Sequence, residues 1–172
     1  MKNSSDTQKI LYLHGLDGSL SREKKEVLER HFEIVAPQLD YRNTPDMFDR
    51  LSGLFVSENC NAVIGNSMGG CFACYLSLHQ SVPALCFNPA LGYRSIDIRL
   101  PELKSNDNPT VFVIGGKDNV VPAVENFIWI RQNINSNFVL KWYNEMEHRV
   151  DIETFTTEIE AFARYINKIH KQ

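Results

Sequence analysis

Short, unbroken apolar runs alternate along this chain with longer stretches in which apolar residues return every three or four positions. The runs are Ile10-Leu11-Tyr12-Leu13, Phe32-Glu33-Ile34-Val35-Ala36, Ala62-Val63-Ile64, Pro83-Ala84-Leu85-Cys86-Phe87, Thr110-Val111-Phe112-Val113-Ile114 and Phe138-Val139-Leu140-Lys141-Trp142. Their continuity, with little polar alternation, predicts six strands buried on both faces. Between them lie helical stretches. Ser21 is placed to cap a charged helix reaching to about Phe32, and Thr44-Pro45-Asp46 predicts a second helix start, with a hydroxyl cap followed by proline and an acid. Met47, Phe48, Leu51, Leu54 and Phe55 then mark one buried helical face. An apolar helix is expected from Met68 to about His79, and another from about Pro122 to Asn133. The last helix has the clearest stripe: Ile152, Phe155, Ile159, Phe162, Ile166 and Ile169 follow steps of three and four.

Strands separated by helices imply βαβ units, hence a parallel sheet with helices on both faces and right-handed crossovers. No linker or internal repeat divides the 172 residues, so one α/β domain is expected, with residues 1–8 a polar tail. Composition narrows the function classes. Eighteen Lys and Arg against 21 Asp and Glu leave a net charge of −3, which gives no electrostatic footprint for nucleic acid. No apolar run approaches the roughly 20 residues of a membrane span. The N-terminal MKNSSDTQK lacks a signal-peptide core, and a cytoplasmic protein is expected. Cys60, Cys71, Cys74 and Cys86 fall in or near apolar runs and read as structural thiols; the Cys71-x-x-Cys74 spacing has no second pair to complete a zinc site.

Ligands on parallel sheets bind beyond the carboxyl ends of the strands. The residues there are informative. The third strand runs into Gly65-x-Ser67-x-Gly69, a pattern that turns a strand sharply into a helix and presents the serine in a strained backbone conformation. A serine hydroxyl needs a base within hydrogen-bond reach, itself held by an acid. Among five histidines, His148 follows the sixth strand and is placed to reach Ser67, whereas His31 and His79 fall near helix ends and His170 in the C-terminal tail. Asp118, after the fifth strand in Gly115-Gly116-Lys117-Asp118, is the candidate acid. The order Ser67, Asp118, His148 is that of α/β hydrolases. An oxyanion hole is expected from the Met68 amide and from the loop after the first strand, His14-Gly15-Leu16-Asp17-Gly18, with Leu16 the second donor. The His14 ring is expected to brace that loop. Asp17 either touches substrate or starts a turn.

The segments LYLHGLDGS, APQLD, GNSMGG, FNPAL, GGKDNVVP and EMEHRV together resemble the small bacterial YqiA-like esterase family of the α/β-hydrolase superfamily, over about Ile10 to Ile169. The resemblance implies a minimal α/β-hydrolase fold and carboxylesterase or thioesterase activity on small acyl substrates, without cofactor or metal. It places Ser67, Asp118 and His148 at the catalytic positions. A peptidase or a carbon–carbon hydrolase would use the same residues, and a non-catalytic binding or scaffold protein would keep the fold. Asn88 to Asn108 is the only stretch with room for a cover, so no substantial lid is expected. A homodimer in which that stretch roofs a partner's site is a further possibility. Arg94 and Arg99 within it are read as solvated, or as contacts for an anionic substrate group.

Overall fold

The computed structural model describes residues 8–169 apart from residues 106 and 136. His170 and all but the last residue of the polar tail lie outside them. Six strands form one sheet: β1 (Lys9–Leu13), β2 (Glu33–Val35), β3 (Ala62–Asn66), β4 (Ala84–Phe87), β5 (Thr110–Gly115) and β6 (Phe138–Tyr143). They pair in parallel in the order β2-β1-β3-β4-β5-β6. Among the described residues four helices connect strands, α1 (Arg22–Glu29), α2 (Met47–Ser57), α3 (Met68–Gln80) and α4 (Ala123–Asn133), and α5 (Ile152–Ile169) follows the last strand.

Because strand side chains alternate between faces, each central strand feeds two cores. Leu11, Leu13, Val63, Cys86, Phe112 and Ile114 pack with α2, α3 and α4. Ile10, Tyr12, Ile64, Leu85, Phe87 and Val113 pack with α1 and α5 on the other face. The helices cover the faces unequally. Every residue of α3 from Met68 to Leu78 is buried, which explains its uniformly apolar sequence. On α5, Phe155, Ile159, Phe162 and Ile166 are buried, while Ile152 at the start is 40% exposed.

Local chemistry sets the element ends. The Ser21 hydroxyl accepts from the Lys24 N–H and caps α1, which ends at Glu29, short of Phe32. The second helix starts later than Thr44. Residues 44–47 form a turn, with the Met47 N–H donating to the Thr44 carbonyl, and Asp46 takes the cap position. The Asp46 carboxylate makes no capping bond because it accepts from Arg50 one turn on. The described residues between β4 and β5, 88–105 and 107–109, run irregularly, with Ile96, Ile98, Leu100 and Leu103 packed against the α2/α3 core. Residues 96–103 thus follow the side of the molecule, and among the described residues no lid is evident over the carboxyl edge. No helix among the described residues is long and apolar enough to cross a membrane.

Candidate active site

The chain reverses its direction of travel across the sheet between β1 and β3, so the loops leaving these adjacent strands part and open a crevice at their carboxyl ends. Ser67 stands in that crevice, directly after β3, with φ 55° and ψ −117°. This conformation is uncommon for a residue with a side chain and needs outside support. The support is specific: the Ser67 N–H donates to the Phe87 carbonyl at 2.9 Å, and the Ser67 carbonyl accepts from Cys71 and Ala90. The flanking glycines are required by close approach, not by φ. A Cβ on Gly65 would overlap the Gly69 carbonyl, and one on Gly69 would overlap the carbonyls of Leu13 and His14.

The other two candidate residues arrive from distant parts of the chain. The Ser67 hydroxyl lies 3.0 Å from His148 Nε2, and His148 Nδ1 lies 2.7 Å from Asp118 Oδ2. The Asp118 side chain is 1% exposed and that of His148 21%. Asp118 Oδ1 accepts from the Val120 and Val121 N–H groups, at 2.9 and 2.8 Å. Those bonds fix the carboxylate before the histidine reaches it. With Nδ1–H donating to the acid, Nε2 is left as an acceptor for the serine proton.

Three residues not singled out in the sequence hold this arrangement. Asn88, 1% exposed and at φ 39°, donates from Nδ2 to the Glu147 and His148 carbonyls at 2.9 and 3.0 Å. Its Oδ1 accepts the Gly115 N–H at 2.7 Å. One side chain thereby ties the end of β4 to the loops bearing the acid and the base. Tyr41 and Leu39 do the equivalent for the loop after β1. The Leu39 N–H donates to His14 Nε2 at 2.9 Å, which leaves His14 Nδ1–H to donate to the Gly15 carbonyl at 2.7 Å. The Tyr41 hydroxyl donates to the His14 carbonyl. His14 is buried, and its ring braces the loop.

The two candidate oxyanion donors flank the crevice. Among the described residues, neither the Leu16 nor the Met68 N–H donates to another protein group. Asp17 sits at φ 54° in the turn, and its carboxylate faces Arg42, with Oδ2 2.7 Å from Nη2. That guanidinium holds the carboxyl below its usual range. Asp17 lines neither of the cavities beside Ser67.

Those cavities differ. A groove of about 680 Å³ runs from Ser67 and His148 past Gly18 to Lys24 on α1 and Arg149 and Asp151 before α5. A smaller pocket of about 250 Å³ lies on the other side of the same two residues, walled by Leu16, Ala90, Tyr93, Val120 and Val121. Among the described residues no three His, Cys, Asp or Glu side chains converge as a metal site would need. Cys71 and Cys74 are buried in α3, where desolvation pushes the Cys71 thiol up to about 12.

The fold agrees with those of known proteins, among them three from mouse, Zea mays and Bacillus cereus. Alpha/beta hydrolase domain-containing protein 10 from mouse has a TM-score of 0.70 at 12% identity, covering 98% of this chain and 92% of that one. Acyl-protein thioesterase 2 from Zea mays gives 0.65 at 14%, with 94% of each chain covered. A carboxylesterase from Bacillus cereus gives 0.63 at 15%, with 94% and 90% covered. At such identities the likeness establishes the α/β-hydrolase fold. The model of the uncharacterised protein family UPF0227 matches residues 9–111, which span β1, β3, the Ser67 turn and the start of β5. The chain is thus a member of the UPF0227 family with an α/β-hydrolase fold.

Proposed function

We propose that this protein is a serine hydrolase that cleaves carboxylic esters or thioesters of small acyl groups through a covalent acyl-enzyme. One observation carries the reading: a hydrogen-bonded series from Asp118 through His148 to Ser67, ending on a hydroxyl held at positive φ beside two cavities. The carboxylesterase and thioesterase among the similar folds are consistent with it.

In this reading Ser67 Oγ attacks the substrate carbonyl carbon as its proton passes to His148 Nε2. Asp118 stabilises the imidazolium and keeps it in register. The Leu16 and Met68 N–H groups receive the charge that develops on the carbonyl oxygen. His148 then returns the proton to the departing alcohol or thiol. Water repeats the attack on the acyl-enzyme and releases the acid, with His148 again taking and giving one proton.

Labelling with a fluorophosphonate probe tests this directly. The expected result is one phosphonyl adduct per chain on Ser67, found by peptide mass mapping, together with loss of butyrate-ester turnover. Folded protein that neither takes the probe at Ser67 nor turns over the ester refutes the proposal.

A further inference from the structure

We infer that the hydrolase prefers acyl groups ending in a carboxylate, and that Arg94 is the residue that selects them. The inference rests on the serine-hydrolase reading and adds the substrate class to it.

Ser67 and His148 face two spaces, and a substrate carbonyl bonded to Ser67 has two substituents to place in them. The leaving group must depart, and water must then reach His148. The 680 Å³ groove serves both steps, and it carries charges of both signs: Glu23, Lys24, Glu147, Arg149 and Asp151. The acyl group has to remain during the acyl-enzyme stage. The 250 Å³ pocket suits it, with room for about eight water-sized groups. No carboxylate lines this smaller pocket; its walls are apolar apart from Tyr93, Arg94, Ser95 and the reacting residues.

Arg94 is the one ionised side chain of fixed charge there. Its Nη1 donates to the Leu91 carbonyl at 3.0 Å and to the Ala90 carbonyl at 3.4 Å, and the guanidinium also hydrogen-bonds the buried Cys71 thiol on α3, so it is moored from two sides. Among the described residues it pairs with no carboxylate. Arg42, Arg50 and Arg22, by contrast, each hold an acid. A moored guanidinium keeps its remaining N–H donors in a fixed plane that matches the two oxygens of a carboxylate. An otherwise apolar pocket with a single placed charge orients a ligand through that charge. A four- to six-carbon chain with an ester at one end and a carboxylate at the other meets both requirements.

The test compares monoethyl glutarate with its isosteric amide, the ethyl ester of glutaramic acid. Each hydrolysis consumes one water, breaks the acyl carbon–oxygen bond and releases ethanol, which is followed by NMR. For wild-type protein we expect kcat/KM about tenfold higher on the carboxylate, mainly through KM, the scale of one charge-assisted hydrogen bond at a half-open site. In Arg94→Met the ratio should fall to about one, and Arg94→Lys should lie between. Arg99→Met, outside this pocket, should keep the tenfold ratio. A wild-type ratio of one or less overturns the inference without needing any variant. So does a tenfold ratio retained by folded Arg94→Met. In both cases turnover of the amide ester shows that the hydrolase reading stands. Absence of turnover on both esters, with Ser67 unlabelled by fluorophosphonate, overturns the two together.

Discussion

Two buried carboxylates in this molecule have nearly the same surroundings and very different consequences. Asp118, with a side chain 1% exposed, accepts from two loop N–H groups and from His148. Glu158, 3% exposed, accepts from the Tyr143 hydroxyl at 2.5 Å and the Lys141 ammonium at 2.6 Å. Both acids are fully provided with donors, so burial and satisfaction do not separate them. The difference lies in the donor's far side. His148 has a second nitrogen, and it meets a hydroxyl at the mouth of two cavities. Lys141 and Tyr143 have nothing further to pass on; they belong to the edge strand β6 and fasten α5 to it. The Tyr143 hydroxyl is itself pushed up to about 12, first by burial and then by Glu158. A buried acid is chemically useful when its partner has another group to act on.

The largest effect that tests this contrast is at the end of the first series. Ser67→Ala and His148→Ala should each lower kcat on a short-chain ester by about 10⁴-fold or more, with little change in thermal stability. Because such residues act as a unit, the double variant should be scarcely worse than either single one. Losses that multiply in the double variant would mean the two side chains act separately, against the series described here.

Asp118→Asn should come next, lowering kcat by about 10³- to 10⁴-fold. The new carboxamide has the two loop N–H groups on one side and the imidazole on the other. If its oxygen serves the loop, its NH₂ faces His148 Nδ1, and the ring must then carry its proton on Nε2, where Ser67 needs an acceptor. Near-normal turnover in this variant would move the acid elsewhere.

Glu158→Gln should do the reverse. Losing the charge that holds Lys141 and Tyr143 should lower unfolding free energy by about 2 kcal/mol, read from the urea midpoint, because buried or half-buried donors lose part of their acceptor. Turnover should stay within about twofold, since nothing in that cluster touches Ser67. A large kcat loss with unchanged stability would show that the two clusters are coupled across α5.

How much of this contrast was visible in the sequence depends on the distance over which it is built. Continuous apolar runs are enough to mark strands covered on both sides, and the Ser67 turn is local, spelled by two glycines where close-lying carbonyls leave no room for a Cβ. Glu158 was hidden. It lies three residues after Phe155 and one before Ile159, on the buried face of α5, but a stripe counted by apolar residues passes over it. Asn88 was hidden for a different reason: its bonds go 27, 59 and 60 residues along the chain, and only the assembled sheet edge brings Gly115, Glu147 and His148 to it. Asp17 was ambiguous because its partner, Arg42, is 25 residues away. The start of α2 misled in a local way, since a threonine followed by proline reads as a helix cap although residues 44–47 make a turn. Ser67, Asp118 and His148 were legible because each directly follows a strand in a recognisable pattern; the partners of Asn88, Glu158 and Asp17 were not.

A third carboxylate, exposed where the first two are buried, completes the comparison and carries the smallest effect. Asp151 stands three residues after His148, and its two oxygens accept from the Thr154 N–H at 2.7 Å and the Thr154 hydroxyl at 2.8 Å, capping the start of α5. The backbone bond foremost holds its carboxyl below the usual range, with burial opposing it and the hydroxyl bond adding to it. A carboxyl whose pKa is lower in the folded chain contributes stability above its unfolded pKa, about 3.9, and loses that contribution as pH falls through the folded value. Asp151→Ala should therefore cost about 1 kcal/mol at neutral pH, as helix caps do, and lower Tm by roughly 2–4 °C. The gap between variant and wild type should narrow on acidification below about pH 4. Urea unfolding of both proteins at neutral and acidic pH measures it. A gap that stays constant or widens on acidification would mean that the charge of Asp151 contributes nothing to the cap. The exposed carboxylate would then differ from the buried ones in kind and not only in degree.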